Sequence, residues 1–376
     1  MKSYMRKEKG KIAADVDSIG FFDFARGIGI IGVLMGHSIL LWYPMTFTDR
    51  PFGNLNSVIG SSIMAMFFMI SGYGFQRRKM KKCLKTQAKI LLKPYWISVS
   101  CIIGMKLLLS FLRQRSFWKF GGQYIFSYLF AINAGVAGNY GGKIFGLAVD
   151  DVAMMWFFVA LFGGWVLCNA ITKVQNIRIQ FCLVFLCLCV GIYMTYISDI
   201  WPFVLPQIFQ AAGLLFVGYI VKKYYLLVRR LPIQFWLIGG SVVLVSAVWG
   251  GVDMYTCVWK LGLLDYASIV ILGFIMMYFF SRLETRGNHK FFYDFIVNIG
   301  GKTQIILCIH AFDEKVLPWH WLKEYFKDEC WFGCIVSFTI RCVFVFCAYQ
   351  IVKYINVNFI RKWRKKRKHI QLNIQI

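Results

Sequence analysis

DFARGIGIIGVLMGH, residues 23–37, is the stretch on which the reading of this chain turns. It is an unbroken apolar run that carries an arginine and a histidine eleven residues apart. On a helix advancing 100° per residue, eleven steps return nearly to the starting azimuth, so Arg26 and His37 share one face about 16 Å apart. Ionisable groups inside a lipid-spanning helix are costly and mark a polar pathway or a reaction site. Either residue alone has a plain explanation: Arg26 as a snorkelling side chain at the membrane edge, His37 as a hydrogen-bonded helix contact. The two on one face favour function, and Asp23, one turn before Arg26, can orient it. The expected placement is Arg26 at the cytoplasmic edge and His37 near the bilayer midplane.

Outward from this helix the chain stays apolar. Of its 376 residues, 59% are hydrophobic and 16% charged, with 36 Phe, 19 Tyr and 13 Trp. Many runs reach the roughly 20 residues that cross a bilayer. Spans are expected at 24–42, 57–75, 90–112, 152–171, 180–198, 204–221, 233–249, 263–281, 295–312 and 331–352. With the N-terminus inside, most of the 43 Lys and Arg fall on the cytoplasmic side and most of the 17 acidic residues outside, as the positive-inside rule requires. The fold expected is therefore all-α: a polytopic transmembrane helix bundle of about ten spans with both termini cytoplasmic. A basic cytoplasmic segment (1–22) precedes the membrane domain (23–353), and a basic tail (354–376) follows it.

The net charge of +26 is spent on topology and anionic lipid contact, and its distribution argues against nucleic acid as a partner. Met1 to Phe22 is polar and charged, with no apolar core of a cleavable signal peptide. The 12 cysteines include no pair of CxxC motifs, so no metal site is expected. Cys330 and Cys334, one helical turn apart, read as a strained disulfide or as small apolar helix residues. The literal GxGxxG at Gly27, Gly29 and Gly32 lacks the βαβ context of a dinucleotide site. Gly32 and Gly36 read as close helix packing.

Between the second and third spans lies a cationic loop with Arg77, Arg78, Lys79, Lys81, Lys82 and Lys85. It is either a topology signal or a site for a polyanionic cytosolic ligand, because clustered Arg and Lys bind phosphates through charge-assisted hydrogen bonds. The longest external connection, 113–151, is expected to hold a re-entrant or surface helix around Tyr124–Ala134. Asp150 and Asp151 either face a polyhydroxylated acceptor or mark an exposed helix start. His310 is a second site residue or an interfacial histidine. His320, between Trp319 and Trp321, reads as part of an aromatic belt.

Several ordered motifs together resemble the acyltransferase-3 family of integral membrane enzymes that acylate sugars. Arg26, ten residues and His37 resemble its Arg-x10-His signature. Phe67-Phe68-Met69-Ile70-Ser71-Gly72 resembles its FFxxSG segment, departing from the plain form at Tyr73-Gly74. Arg77-Arg78 followed by Lys93-Pro94-Tyr95-Trp96 resembles its basic loop and third span. Trp156-Phe157-Phe158 resembles its WFL-type span. Asn298 to His310 resembles its late segment ending in a histidine, here unusually polar after His310.

The resemblance implies a multi-pass protein of the cell membrane with no permanently bound cofactor. It implies acyl-CoA, usually acetyl-CoA, as cytoplasmic co-substrate and a carbohydrate acceptor on the other side. Arg26 is then expected at the CoA phosphates, supplemented by Arg77 and Arg78. His37 is expected at the thioester, as general base or as nucleophile. Ser71 is either a donor to the thioester oxygen or a packing residue. A transporter for a small anion or a glycan precursor is the alternative reading.

Overall fold

The stretch 23–37 lies wholly within one helix, α1 (Ile19–Trp42), of a computed structural model that describes residues 19–43, 51–113, 117–132, 143–144, 147–148, 152–198, 200–283, 290–326 and 331–373. No proline interrupts it, and in an apolar medium a helix is the one local structure that satisfies its own backbone groups. The second helix, α2 (Leu55–Tyr73), returns antiparallel beside it. The register is fixed by ring and glycine contacts: Phe22 lies 5.0 Å from Tyr73, Gly29 faces Phe67 and Gly32 faces Ile63. The start of α1 is thus level with the end of α2, and His37 is level with Asn56 and Gly60.

The third span differs from expectation at its start. A helix already begins at Met80 (α3, Met80–Gln87), passes through a π-turn at Ala88–Leu92 and continues as α4 (Lys93–Leu112). Half of the expected cationic loop is therefore helical, with Cys83 and Gln87 buried on one face and lysines on the other. Pro94 has no N–H to return to the carbonyl of Ile90 one turn back. Gln304 fills that vacancy, its Nε2 donating to Ile90 O at 2.5 Å.

A short helix, α5 (Phe117–Leu129), occupies the connection where an extra element was expected, beginning earlier than Tyr124. Strands β1 (Lys143–Ile144) and β2 (Leu147–Ala148) pair antiparallel after it. Asp150, Asp151 and Cys330 lie outside the described residues. Helices α6 (Trp156–Ile171) and α8 (Leu205–Lys223) lie at the centre of the bundle, with α7 (Ile177–Ile197) packed on the outside of α8. Lipid offers no hydrophobic drive between helices, so close association relies on small residues. Helices α2 and α8 show this: a Cβ at Gly72 would collide with the Leu215 backbone, and one at Gly218 with the Met69 carbonyl.

Helix α9 (Ile233–Trp249) is apolar but only 17 residues long. It leads into a hairpin, β3 (Val252–Asp253) and β4 (Val258–Trp259), and then α10 (Leu263–Leu283). Asp265 ties the foot of this hairpin, accepting from Ser246 Oγ at 2.6 Å, Leu261 N at 2.8 Å and Gly251 N at 3.3 Å.

The expected span 295–312 is not one rod. It is a pair, α11 (Lys290–Gly300) and α12 (Thr303–Val316), bent by 68°. The break falls at Gly301-Lys302, just after Gly300 approaches the Asp23 carbonyl too closely to admit a Cβ. Helix α13 (Trp319–Phe326) follows. The last helix, α14 (Trp331–Asn373), runs 43 residues without a break, through the expected boundary between membrane domain and tail.

Each of the ten expected spans therefore has a helical counterpart. Among the described residues, eight helices are long and apolar enough to cross a membrane, nine with the bent pair counted as one. The protein is an all-α polytopic bundle. His37 lies five residues before the end of α1, in its distal third and not at its middle.

Candidate active site

Three helices converge on His37. Its Nδ1 is 3.5 Å from Glu314 Oε1 on α12, a long contact of the kind that tightens when a ligand arrives. The two side chains are 28% and 29% exposed, and both face a cavity of about 210 Å³. Gly32, Gly36 and Gly60 also line it. Gly36 has nothing within 4 Å of its would-be Cβ, whereas Gly32 rests on Ile63. The packing expected of this glycine pair holds for Gly32, and Gly36 keeps open space beside His37.

Behind His37 sits a second imidazole. His310 meets it edge to face, ring centroids 5.2 Å apart. Residues 310, 313 and 314 are spaced i, i+3 and i+4 on α12, which places His310 and Glu314 on adjoining turns of one face. His310 and Asp313 are fully buried, with His310 Nδ1 2.7 Å from Asp313 Oδ2. The other carboxylate oxygen of Asp313 is ion-paired with Arg341 of α14. Arg341 Nη1 also lies 3.5 Å from His310 Nδ1, but the shorter carboxylate contact decides the tautomer: Nδ1–H donates to Asp313. Nε2 of His310 then carries the lone pair and has no hydrogen-bond partner among the described residues.

The cluster is braced from outside. The Arg341 guanidinium lies over the Trp319 ring at 4.1 Å, and Trp319 Nε1 donates to the Asp313 carbonyl at 3.1 Å. One turn before Arg341, Ser337 Oγ accepts from the Trp42 indole at 3.3 Å, which seats α14 on the end of α1. Trp319 is thus a buried structural aromatic, while His320 is exposed beside Trp321. Among the described residues no three His, Cys, Asp or Glu side chains are placed to share a metal ion.

The β3–β4 hairpin also reaches the cavity. Asp253 lines the wall with Tyr255, Trp156, Asn56 and Ser61. Its Oδ1 accepts from Tyr255 N at 2.9 Å and its Oδ2 from Thr256 Oγ1 at 2.7 Å. Burial pushes the Asp253 carboxyl up from its ordinary value, against the pull of these hydrogen bonds and of nearby His37.

The remaining expected residues gather at the opposite end. Arg26 Nη1 is 3.3 Å from Asp23 Oδ1 and the Arg26 side chain is 38% exposed, so Asp23 does orient it. Arg77 is exposed and its Nη1 donates to the Thr172 carbonyl at 3.4 Å. Arg78 is half-buried, and its backbone N–H donates to Asn169 Oδ1 at 2.9 Å. Both follow Tyr73 closely and so lie at the end of the bundle that holds the start of α1. Ser71 lies there too, half-buried and level with Arg26, about 16 Å along the axis from the level of His37.

The structure therefore joins His37 to His310, as one reading of His310 required, and separates both from the arginines and Ser71. It adds Glu314, Asp313, Arg341 and Asp253. The polar run after His310 was the signal for the first two.

A family model described as an acyltransferase domain, of the acyltransferase-3 type, matches residues 19–354. No curated protein and no solved structure matches the chain. The matched segment takes in every helix from α1 to the membrane part of α14, with Arg26 and His37 near its beginning and His310, Glu314 and Arg341 near its end; the chain belongs to the acyltransferase-3 family.

Proposed function

We propose that this membrane acyltransferase takes its acyl group, acetyl being the expected one, from acyl-CoA at the cationic, cytoplasmic end of the bundle. It delivers the group to a carbohydrate hydroxyl at the other end, in the cell membrane. One observation carries this reading: the His37–Glu314 pair opens on a cavity, while Arg26 waits eleven residues down the same helix. That is about 16 Å, comparable with an extended pantetheine arm. CoA phosphates at Arg26, Arg77 and Arg78 would leave the thioester within reach of His37.

The chemistry follows from the tautomer. With Nδ1–H directed at Glu314, His37 Nε2 holds the lone pair. It takes the proton of the acceptor hydroxyl as the oxygen attacks the thioester carbonyl. The C–S bond breaks, CoA leaves as the thiolate, and the Glu314 carboxylate stabilises the imidazolium until its proton passes to the thiolate or to water. Purified protein incubated with radiolabelled acetyl-CoA and candidate glycans tests this. Label on the glycan supports the transferase; glycan or anion flux with no acyl transfer would overturn it in favour of transport.

Donor binding supplies a separate prediction. Arg77→Ala with Arg78→Ala should weaken acyl-CoA binding about tenfold, which is on the order of 1.4 kcal/mol, while leaving the fold intact. Charge-assisted contacts are worth more when buried, and the exposure of Arg77 reduces the figure. Isothermal titration with a non-hydrolysable acyl-CoA measures it; unchanged affinity would reduce the segment to a topology signal.

Topology supplies another. Ten crossings return the chain to its starting side, and the positive-inside rule makes that side cytoplasmic. The basic end of α14 then rests against anionic lipid headgroups. Cysteines placed at Lys119 and Lys365, in a background with native cysteines replaced, should label from opposite faces. Labelling from one face would overturn the assignment.

A further inference from the structure

We infer that the His37 cavity admits one neutral sugar ring as acceptor, and that Asp253 excludes anionic sugars such as uronates and sugar phosphates. The inference rests on the acyl-transfer reading for its chemistry, but concerns only what enters the cavity.

Size is the first ground. The cavity holds about 210 Å³, below the roughly 300–1,000 Å³ of sites that bury a drug-sized molecule. That is room for a single ring, with any further sugars of a chain left outside. Two aromatic side chains, Trp156 and Tyr255, form part of its wall with their rings 6.1 Å apart. Trp156 is only 3% exposed and backs the wall, so the half-buried Tyr255 ring is the one that gives the apolar C–H face of a pyranose a surface to rest on. Asn56 stands exposed beside it as a hydrogen-bonding group for its hydroxyls.

Charge is the second ground. The ionisable side chains on the cavity wall are His37, Glu314 and Asp253; no lysine or arginine is among the described lining residues. Glu314 is committed to His37. Asp253 lines the same cavity. An anionic sugar would have to shed its water next to these carboxyls with no cation to replace it. A neutral ring can instead donate a hydroxyl to whatever lone-pair capacity Asp253 keeps beyond Tyr255 N and Thr256 Oγ1.

Asp253 is also held in place. The Ser57 hydroxyl donates to the Val252 carbonyl, Met254 N donates to Ser61 Oγ at 3.3 Å, and Gln207 Nε2 donates to the Tyr255 carbonyl at 2.8 Å. The hairpin is thus pinned to α2 and α8 on both sides of the carboxyl. A surface loop with an incidental acid needs no such anchorage, whereas a carboxyl that discriminates between ligands must not swing away from them.

The test uses two matched pairs: methyl glucoside with methyl glucuronide, and methyl galactoside with methyl galacturonide. Two readouts are taken on purified full-length protein. The first is transfer from radiolabelled acetyl-CoA. The second, independent of transfer, is protection of a cysteine placed at Leu40, on the cavity wall, in a background with native cysteines replaced, against a cationic thiol reagent. The neutral glycosides should be acylated with at least tenfold higher kcat/KM and should protect the cysteine, while the uronides should do neither. Asp253→Asn should narrow the difference several-fold by improving uronide KM; Asp253→Glu, which keeps the charge, should preserve it. Uronides that react or protect as well as their neutral partners would overturn the inference while leaving the transferase standing. So would protection by neither class. Protection by the neutral sugars alone, without transfer to any, would uphold the inference and count against the proposed reaction.

Discussion

His37→Ala is expected to lose about 10²–10⁴ in acyl-transfer rate, the usual range for removing a general base, while acyl-CoA still binds. The imidazole faces the cavity to which the proposed reaction brings the thioester carbonyl, a full eleven residues from the arginine proposed for the phosphates. Arg26→Ala should show the converse, with donor affinity failing first. Glu314→Gln is the informative partner. Its amide oxygen can still accept from His37 Nδ1–H, so the ring keeps its orientation. What is lost is the negative charge that stabilises the imidazolium, and the rate should fall by less than in His37→Ala. All three variants need thermal stability matched to the native protein, because α1 is packed against α2, α11 and α14. A well-folded His37→Ala protein that transfers at the native rate would make His37 a structural histidine. One that binds donor but is inactive leaves base and nucleophile to be separated by acid-quench trapping of an acyl adduct in the native protein.

The part of this site carried by one helix was legible in the sequence. Arg26 and His37 are related by helical period alone, and an ionisable pair in an apolar run is conspicuous. Glu314 and Asp313 were visible only as a departure, a polar run that seemed to end the ninth span at residue 312. The helix instead continues to Val316. The bend at Gly301-Lys302 restarts its frame, and Arg341 neutralises Asp313 from another helix, so a charge in that position does not end the span. Nothing local in either segment announces that pairing. Arg341 stands in the middle of the expected span 331–352, where the sequence offers it no partner. Asp253 sits on a two-residue strand in a segment read as plain external loop, and only the clamp from Ser57 and Ser61 brings it to the cavity. Ser71 shows the reverse case. It lies within a recognisable motif, yet the antiparallel register of α1 and α2 carries it to the arginine end.

The pairing of Arg341 with Asp313 leads to the largest expected effect on stability. Both side chains are buried, at 2% and 0% exposure for their residues, and they join α12 to α14 beside the two histidines. Removing one member of such a pair leaves an uncompensated buried charge and costs about 3–5 kcal/mol. Arg341→Met should therefore lower the thermal midpoint of the detergent-purified protein sharply, even though Met fills much of the same volume over Trp319. Any molecules that remain folded should be slow. An unpaired Asp313 carboxylate draws a proton onto His310, and His37 must then accept its own proton beside a second positive ring. The double variant Arg341→Met with Asp313→Asn removes both charges together. The Asn amide oxygen still accepts from His310 Nδ1–H, which preserves the tautomer and keeps the ring neutral. Replacing both members of a buried pair is commonly near neutral, so the double variant should recover most of the lost stability and most of the rate. Contacting residues couple by about 0.5–3 kcal/mol in such cycles, a range that thermal unfolding of the four proteins can resolve. Additive losses, with the double variant worse than either single, would mean that the ion pair acts on the fold without setting the charge of His310.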